Sequence, residues 1–338
     1  MAENGGGRVT ARFVIGSLLL ALVASSCRNV DGVQTAPGSE MKHPDLPSRP
    51  SAPASSTFRS LWYDGNAELS GYRITLPRYG QKREGELVLI YVTEPVDRTT
   101  LIKDDHAPPD RRVDVMKLNA NLDFLAGIYP YSVMTSVFAP IDDWGVERFS
   151  PVKISFTAQE WCGHVFHAVW PGRGFFESRI ASYFSHEGER SMKVTVPEET
   201  LYEDALLIQL RELDGPFAEG KDWQGSIVPS LWRTRTAHVP PAPGRAFIRR
   251  SVQESGPGAI TRFELESGDY RRTFDVELQP PRRVVRWVTS DGEEAELLRT
   301  ARLPYWKLNR VGDEKYREQI GVPSGRKTVV PGEHSDKR

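Results

Sequence analysis

The stretch that decides the fold is residues 86–94, which read ELVLIYVTE. Apolar side chains occupy both alternating faces of this stretch, as expected for a strand in the centre of a sheet. Residues 131–138 (YSVMTSVF) share its enrichment in aromatic and β-branched side chains, and shorter runs of this kind occur at 192–196 and 246–252. The sequence therefore predicts a body built mainly from β-strands.

Turn signals between such runs indicate antiparallel pairing. The tripeptide SGD at 267–269 interrupts the alternation of residues 263–278, and the dipeptide DG at 291–292 interrupts that of residues 284–298. Asp-Gly is a preferred dipeptide of tight hairpin turns. With about ten to fourteen strands and no regular helices between them, the expected fold is mainly β: antiparallel curved sheets, arranged as a sandwich or an open barrel.

One or two short helices are expected beside the strands. Residues 200–203 (TLYE) fit a capping box, in which the Thr200 hydroxyl and the Glu203 carboxylate each accept a hydrogen bond from the other residue's amide. Apolar residues follow at helical spacing until a Gly-Pro pair ends the segment. A second short helix is expected at 313–320.

The N-terminus has the three parts of a secretory signal. Arg8 and Arg12 precede an apolar run at 13–23 (FVIGSLLLALV), which is shorter than the roughly 20 residues of a membrane-spanning helix. Small residues then lead to Cys27. This arrangement resembles the bacterial lipobox, in which the cysteine receives a diacylglycerol, the signal is cut before it, and the new amine is acylated with a chain such as palmitate. An ordinary secretion signal and an uncleaved anchor are the alternatives to this prediction of a lipoprotein.

These signals divide the chain into four parts. Residues 1–26 are the lipoprotein signal peptide, and residues 27–56 are the lipid anchor and a Pro/Ser-rich linker that is expected to be disordered. Residues 57–321 are the antiparallel β domain, and residues 322–338 are expected to form a disordered tail. Arg28 stands where inner-membrane lipoproteins often have Asp, which favours the outer membrane of a Gram-negative bacterium as the location.

Charge and cysteine content narrow the class of protein. The net charge of −1 at neutral pH gives no basic excess for a nucleic-acid partner. The arginine pairs at 249–250, 271–272 and 282–283 lie in strand-like stretches with acids nearby and are interpreted as solvated faces. If Cys27 carries lipid, Cys162 has no partner, and the fold depends on a hydrophobic core instead of a disulfide.

The stretch whose side chains are the best candidates for catalysis or ligand binding is EWCGH, at residues 160–164. If residues 152–170 form one straight strand, side chains alternate between its faces, and Glu160, Cys162 and His164 point into the core together. A buried carboxylate is costly unless it is paired. Either the three side chains line a polar cavity, or the strand bends at Gly163 and frees them.

Three interpretations of this stretch remain open. The polar groups satisfy buried backbone atoms, or they orient an envelope ligand such as a lipid, glycan or peptide in a cavity, or Cys162 and His164 act as nucleophile and base. Tyr129 and Tyr131 are either core packing or a stacking surface for the same ligand. A zinc site that adds His167 is disfavoured, because alternation puts His167 on the opposite face.

No other pattern in the sequence indicates a cofactor or a metal. The five remaining histidines lie in loop-like or tail-like sequence. Phosphate-binding glycine loops and a Gly-x-Ser-x-Gly elbow are both absent from the sequence. The expectation is therefore a protein without a cofactor or metal, whose partners are a membrane and an envelope ligand.

Several blocks of the chain resemble a family of uncharacterised bacterial envelope lipoproteins. The blocks are residues 78–80 (RYG), 88–94 (VLIYVTE), 127–136 (GIYPYSVMTS), 159–164 (QEWCGH), 182–184 (SYF) and 304–306 (PYW). Members have been labelled septum formation inhibitors of the Maf type. Maf proteins, however, are cytoplasmic nucleotide pyrophosphatases with an α/β fold, and nothing in this sequence matches them. The resemblance supports the envelope location and the β fold, and it implies no activity.

The expected function is that of a membrane-anchored lipoprotein that binds or scaffolds in the cell envelope through a β-sheet groove or cavity. Glu160, Cys162 and His164 are expected near that groove, together with Tyr129 and Tyr131. The alternative is an envelope hydrolase or transferase that uses Cys162, His164 and Glu160.

Overall fold

One open curved sheet of 15 strands makes up most of the described chain. The computed structural model describes residues 46–324 except 212, 214–215 and 254–257. The predicted signal peptide, Cys27, most of the predicted linker and all but the start of the predicted tail therefore lie outside the described residues. The sequence-based prediction of a mainly β fold with antiparallel, curved sheet is confirmed, and it takes the form of a single sheet.

The strands and helices follow one another along the chain with short connections. The strands are β1 (Ala67–Arg78), β2 (Gln81–Asp97), β3 (Arg112–Ala126), β4 (Tyr129–Pro140), β5 (Lys153–Glu160), β6 (Gly163–Gly172), β7 (Phe175–Ser182), β8 (Glu189–Thr195), β9 (Leu201–Tyr202), β10 (Trp223–Val228), β11 (Gly244–Gln253), β12 (Ile260–Ser267), β13 (Tyr270–Glu277), β14 (Val284–Thr289) and β15 (Glu294–Leu303). The α-helices are α1 (Ser56–Trp62), α2 (Leu206–Gln209) and α3 (Leu231–Ala237), and 3₁₀ turns cover Glu203–Ala205, Tyr305–Lys307 and Asp313–Ile320.

Two antiparallel meanders share the sheet. In space the strands run from β8 in order down to β1, and then from β15 down to β9. The pairing of β1 with β15 joins the two meanders, and all neighbours are antiparallel except β9 and β10. The turns predicted at 267–269 and 291–292 are confirmed, because they connect β12 to β13 and β14 to β15.

Strand β2 is buried on both faces, as its sequence predicts. Leu89 and Tyr91 belong to the main core, which also contains residues of α2 and of β11–β15. Val88, on the other face, packs in a smaller cluster with Ile320 and Val322. The 3₁₀ turn at 313–320 therefore confirms the second predicted helix and covers the outside of the sheet, and Val322, assigned to the tail, is part of this packing.

The first predicted helix is wrong in its start and extent. Leu201–Tyr202 form β9, and Glu203–Ala205 form a 3₁₀ turn before the single α-helical turn of α2. The Thr200 hydroxyl donates to the Pro197 carbonyl at 2.7 Å instead of capping a helix. The physical reason is that the Glu203 carboxylate is buried against distant strands and is not available for a capping box.

Residues 46–56, predicted as part of a disordered linker, pack against the loop between β4 and β5. Leu46 is buried, and Ala52 pairs with Asp143 in an isolated bridge. The Ala54 amide also donates to the Asp142 carboxylate at 2.8 Å. The predicted end of the linker at residue 56 is therefore too late in the sequence, because apolar side chains among the prolines, such as Leu46 and Ala54, are buried against the β domain.

Arg211 fixes the segment after α2 inside the sheet. Its side chain is fully buried and forms a bidentate pair with Glu68 of β1, at 2.8 and 3.2 Å. Its guanidinium also donates to the carbonyl oxygens of Pro281 and Arg282, and it lies 4.6 Å from the ring centroid of Tyr91. The buried guanidinium is therefore paired with a carboxylate and hydrogen-bonded on all three nitrogens, which offsets the free energy lost by removing its charge from water.

We expect Glu68→Gln to lower the free energy of unfolding by about 3–5 kcal/mol, because it leaves the buried Arg211 charge uncompensated. The matched control is Glu296→Gln, which removes the exposed pair between Arg73 and Glu296 across β1 and β15. That change should cost about 0–1 kcal/mol. Urea denaturation of the two variants measures both values, and equal losses would contradict a special role for the buried pair.

Candidate functional site

A cavity of about 110 Å³ lies inside the curve, between the inner face of β1–β4 and the segments that carry α2 and α3. Alternation along each strand brings its apolar side chains to this face. The apolar wall consists of Ile74, Leu87, Leu89, Leu118, Ala120, Leu122, Val133, Val137, Leu207, Trp232 and Trp287.

The carboxylate of Glu203 forms the polar end of this cavity. Its oxygens accept hydrogen bonds from the Tyr270 hydroxyl at 2.9 Å, from Arg272 at 3.1 Å and from the Ser230 amide at 3.1 Å. The Arg233 guanidinium lies 3.1 Å away as a further ion-pair partner. Glu203 is 2% exposed, so hydrogen bonds from protein groups replace the hydration of this carboxylate.

Glu203 and its neighbour Asp204 also position α3 along the cavity. The Asp204 carboxylate accepts from the Leu231 amide at 2.9 Å. Ser230, the N-cap of α3, accepts from the Arg233 amide at 3.1 Å. The first amides of α3 are thereby satisfied by two acidic residues from another segment and by the cap, so the helix start is fixed at the polar end.

Two acids at this end, Asp204 and Glu293, have raised pKa values. Burial raises the pKa of Asp204 to about 7, although the Leu231 amide opposes the shift. Burial also raises the pKa of Glu293, which accepts from the Trp287 indole at 2.7 Å and lies 3.6 Å from Arg272. Near neutral pH the polar end thus contains a carboxyl group that is partly protonated, and such a group both donates and accepts hydrogen bonds.

The structure separates the residues of the EWCGH stretch. Trp161 and Cys162 form a two-residue turn between β5 and β6, so the chain reverses where a straight strand was assumed. Glu160 pairs with Gly163 and points to the core, whereas His164 pairs with Gln159 on the outer face. Of the two alternatives that the sequence left open, the one in which Glu160, Cys162 and His164 point inward together is therefore wrong, and the chain turns directly before Gly163.

Sterics at Gly163 support this turn. A Cβ atom at Gly163 would lie 2.4 Å from the ring of Tyr183, so only glycine fits there. Cys162 is exposed in the turn, and His167 is buried with its Nε2 2.7 Å from the Ser178 hydroxyl. The expected separation of His167 from His164 onto opposite faces is thus seen. Glu160 and His164 also lie on opposite faces of the β5–β6 hairpin, so they do not form one catalytic group.

Tyr131 and Tyr129 interact with Glu160 but do not line the cavity. Tyr131 is 2% exposed, stacks on Phe124 with ring centroids 4.6 Å apart, and shares a 2.7 Å hydrogen bond with the Tyr79 hydroxyl. Tyr129 is half-buried, and a hydrogen bond with Tyr79 raises its pKa to about 12. None of the five predicted site residues contributes to the cavity described above.

The cavity residues escaped sequence analysis for identifiable reasons. Arg272 was interpreted as part of a solvated face, yet it is 9% exposed. A signal was present, because alternation in β13 puts Arg272 on the same face as Phe274 and Val276. The only pattern around Glu203 is the capping box at residues 200–203, which predicts a helix start and not a cavity. Its partner Arg272 is 69 positions away along the chain.

A second polar group joins two histidines that sequence analysis left in loops. Among the described residues, His186, Glu187 and His238 are the group that could hold a metal ion. They lie beside a separate cavity of about 190 Å³ that is lined by residues of β5–β8 and by the C-terminal end of α3.

Comparison with known proteins adds little to this picture. No protein-family profile and no curated protein matches the chain. A solved structure that does match is the beta-barrel-like protein of domain of unknown function DUF1849 from Brucella abortus, at 10% sequence identity and a TM-score of 0.41. The match covers 70% of this chain and 98% of that one. Within residues 46–324, as described, no helix is long and apolar enough to span a membrane.

We expect the buried Asp204 to make the fold less stable as pH rises. Its pKa is raised from 3.8 to about 7, so the folded chain keeps a proton that the unfolded chain loses between these values. Wild-type stability should therefore decline from about pH 4 to about pH 7 relative to Asp204→Asn, which has nothing to titrate there. Urea denaturation at several pH values measures the difference, with the exposed Asp123→Asn as control. Parallel curves for all three proteins would contradict the shift.

Proposed function

We propose that this chain is a cell-envelope lipoprotein, anchored through lipid on Cys27, that binds a small molecule with an apolar part in the cavity beside α3. The observation that carries the binding role is the apolar wall ending in the buried, ionisable group around Glu203 and Asp204. The anchor and the envelope location rest on the sequence of residues 1–28.

A binding role explains features that a purely structural core does not require. Protein interiors are close-packed, and a hollow surrounded by Leu and Val side chains forfeits contacts that a filled core makes. Placing Asp204 beside that hollow costs further folding free energy, because a carboxyl group loses its hydration when it is removed from water. Perturbed ionisable groups next to a cavity are a recurring mark of binding sites.

The volume limits the size of the buried part of the ligand. A cavity of about 110 Å³ is close to the roughly 150 Å³ of an apolar cavity that binds benzene. It therefore holds one ring or a short alkyl chain, and not an entire lipid. Any larger ligand would bury only one group here and leave the rest outside.

The charges at the polar end favour a ligand that donates hydrogen bonds. Two arginines face four acids there: the arginines are Arg233 and Arg272, and the acids are Glu203, Asp204, Asp291 and Glu293. Both arginines already pair with Glu203, so acceptor oxygens are in excess. A hydroxyl or amino group on the ligand satisfies them, whereas a carboxylate is repelled.

Apolar side chains at one end of the sheet offer an approach to the cavity. The turns of four successive hairpins expose Tyr79, Ile128, Trp161 and Tyr183. The cavity reaches the same end, because Pro77, two positions before the first of these turns, is part of its lining. An apolar ligand leaving a membrane surface would meet these side chains before it reaches the cavity.

We expect Ala120→Leu to weaken binding at least tenfold, because the larger side chain fills the cavity from its β3 wall. The probes are benzyl alcohol and benzylamine, each titrated by calorimetry into the mature protein, with toluene as a probe that lacks a donor. The two donor probes should bind the wild type at least tenfold more tightly than they bind Ala120→Leu. The control is Asn121→Ala, on the opposite face of the same strand.

The same variant gives a second readout that does not need a ligand. Filling a real cavity should leave the melting temperature unchanged or higher, whereas overpacking a filled core costs about 1–3 kcal/mol. A destabilised Ala120→Leu protein, or equal binding of all probes by wild type and variant, would refute the cavity.

We expect Cys27→Ser to leave the precursor uncut and unlabelled by radioactive palmitate in a bacterial host that processes lipoproteins. Cys162→Ser, which changes the other cysteine of the chain, should be cut and labelled like the wild type. Undiminished labelling of Cys27→Ser would remove the anchor from the proposal, and it would leave the binding cavity untouched.

A further inference from the structure

Two histidines and a glutamate converge beside the loop that follows β7. We infer that His186, Glu187 and His238 form a site for a divalent transition-metal ion, with Zn²⁺ as the best fit. Their donor atoms all lie within 4.8 Å of one another. Glu187 Oε1 is 2.7 Å from His238 Nδ1 and 3.7 Å from His186 Nε2. Donors that share one tetrahedral zinc ion at ordinary bond lengths are about 3.4 Å apart.

The carboxylate ligand is held in place by the surrounding structure. Glu187 is 8% exposed, and its second oxygen accepts a hydrogen bond from the Ser182 hydroxyl. Arg190 donates to the Glu187 carbonyl at 2.6 Å and also to the His186 carbonyl. The backbone of both neighbouring ligands is therefore fixed, and outer partners of this kind orient metal ligands in proteins.

The third ligand comes from the end of α3. His238 is the C-cap residue of α3. Its φ of 55° lies in the left-handed region, which residues other than glycine rarely adopt. Its ring lies 5.2 Å from the His186 ring and 5.6 Å from the Phe184 ring, centroid to centroid. This backbone conformation directs the imidazole back toward Glu187.

Arg235 competes with the metal ion for Glu187 and His238, and Glu160 offers Arg235 an alternative partner. The Arg235 guanidinium lies 3.0 Å from His238 Nδ1 and 3.5 Å from Glu187 Oε1. Its other side lies 3.5 Å from Glu160 Oε1, while Glu160 Oε2 is buried without a hydrogen-bond partner among the described residues. A bound dication repels the guanidinium, which then moves from Glu187 onto both oxygens of Glu160 as a bidentate pair.

The site differs from the ligand cavity and from any site expected from the sequence. Sequence analysis predicted no metal and placed the zinc possibility at Cys162, His164 and His167. Three protein ligands leave one tetrahedral position open, which is the arrangement of zinc sites that exchange water or substrate. All three ligand residues line the cavity of about 190 Å³, together with Arg190, His167 and Arg235.

The direct test is titration of the mature protein with Zn²⁺ at neutral pH, followed by calorimetry, together with the visible absorption of Co²⁺. The wild type should bind one equivalent of each, and the cobalt complex should show the intense absorption of tetrahedral coordination. His186→Ala and His238→Ala should each weaken Zn²⁺ binding at least tenfold. His164→Ala, which removes an exposed histidine from the outer face of β6, should bind as the wild type does.

Two further variants test the competition with all three ligands intact. Glu160→Gln should weaken Zn²⁺ binding about tenfold, because Arg235 then stays on Glu187, and Arg235→Met should tighten it. Thermal denaturation followed by circular dichroism confirms that each variant folds. Absence of stoichiometric binding by the wild type would overturn the site. So would equal affinities in wild type and His186→Ala, which would indicate an adventitious ion only.

Discussion

Two buried charges at the ends of one short segment hold the structure together. Glu203 begins the segment and binds Arg272 of β13, and Arg211 ends it and binds Glu68 of β1. Because β13 and β1 belong to different meanders, the segment ties the two halves of an open sheet across its inner face. A slip by one residue would leave a buried charge without a partner, so the segment has one permitted position.

The position of this segment sets the rest of the interior. Leu206, Leu207 and Ile208 fill the curve between the two buried charges. Glu203 and Asp204 then accept the first amides of α3, so the helix lies along the space that the segment leaves unfilled. The apolar hollow and its acidic end are therefore products of a single arrangement, in which polar groups that fix the helix also face the cavity.

Helix α3 connects the two sites that we propose. Its first residues contact the acids of the ligand cavity, and its last residues carry Arg235 and His238 to Glu187. The helix has seven residues, so the two groups are about 10 Å apart along its axis at 1.5 Å per residue.

The sequence predicts what depends on local patterns and misses what depends on distant ones. The apolar stretch of β2 and the turn dipeptides at 267–269 and 291–292 identify strands and hairpins correctly, because alternation and turn chemistry are local. The turn at Trp161 and Cys162 has neither Asn nor Asp, and Gly163 alone left a straight strand and a bend both open. The straight-strand alternative assigned the wrong face to His164. The partners of Glu203 lie in other strands, and nothing near Glu203 in sequence identifies them.

The most direct test of a binding cavity inside this sheet is native mass spectrometry of the protein extracted from the cells that express it. The cavity predicts a mass above that of the covalent polypeptide by one small molecule, which activation in the gas phase releases as a neutral or cationic species. The same extraction of Ala120→Leu should give the polypeptide mass without the addition. A wild-type mass that equals the covalent polypeptide alone, with added benzyl alcohol and benzylamine equally absent from the complex, would contradict the binding cavity.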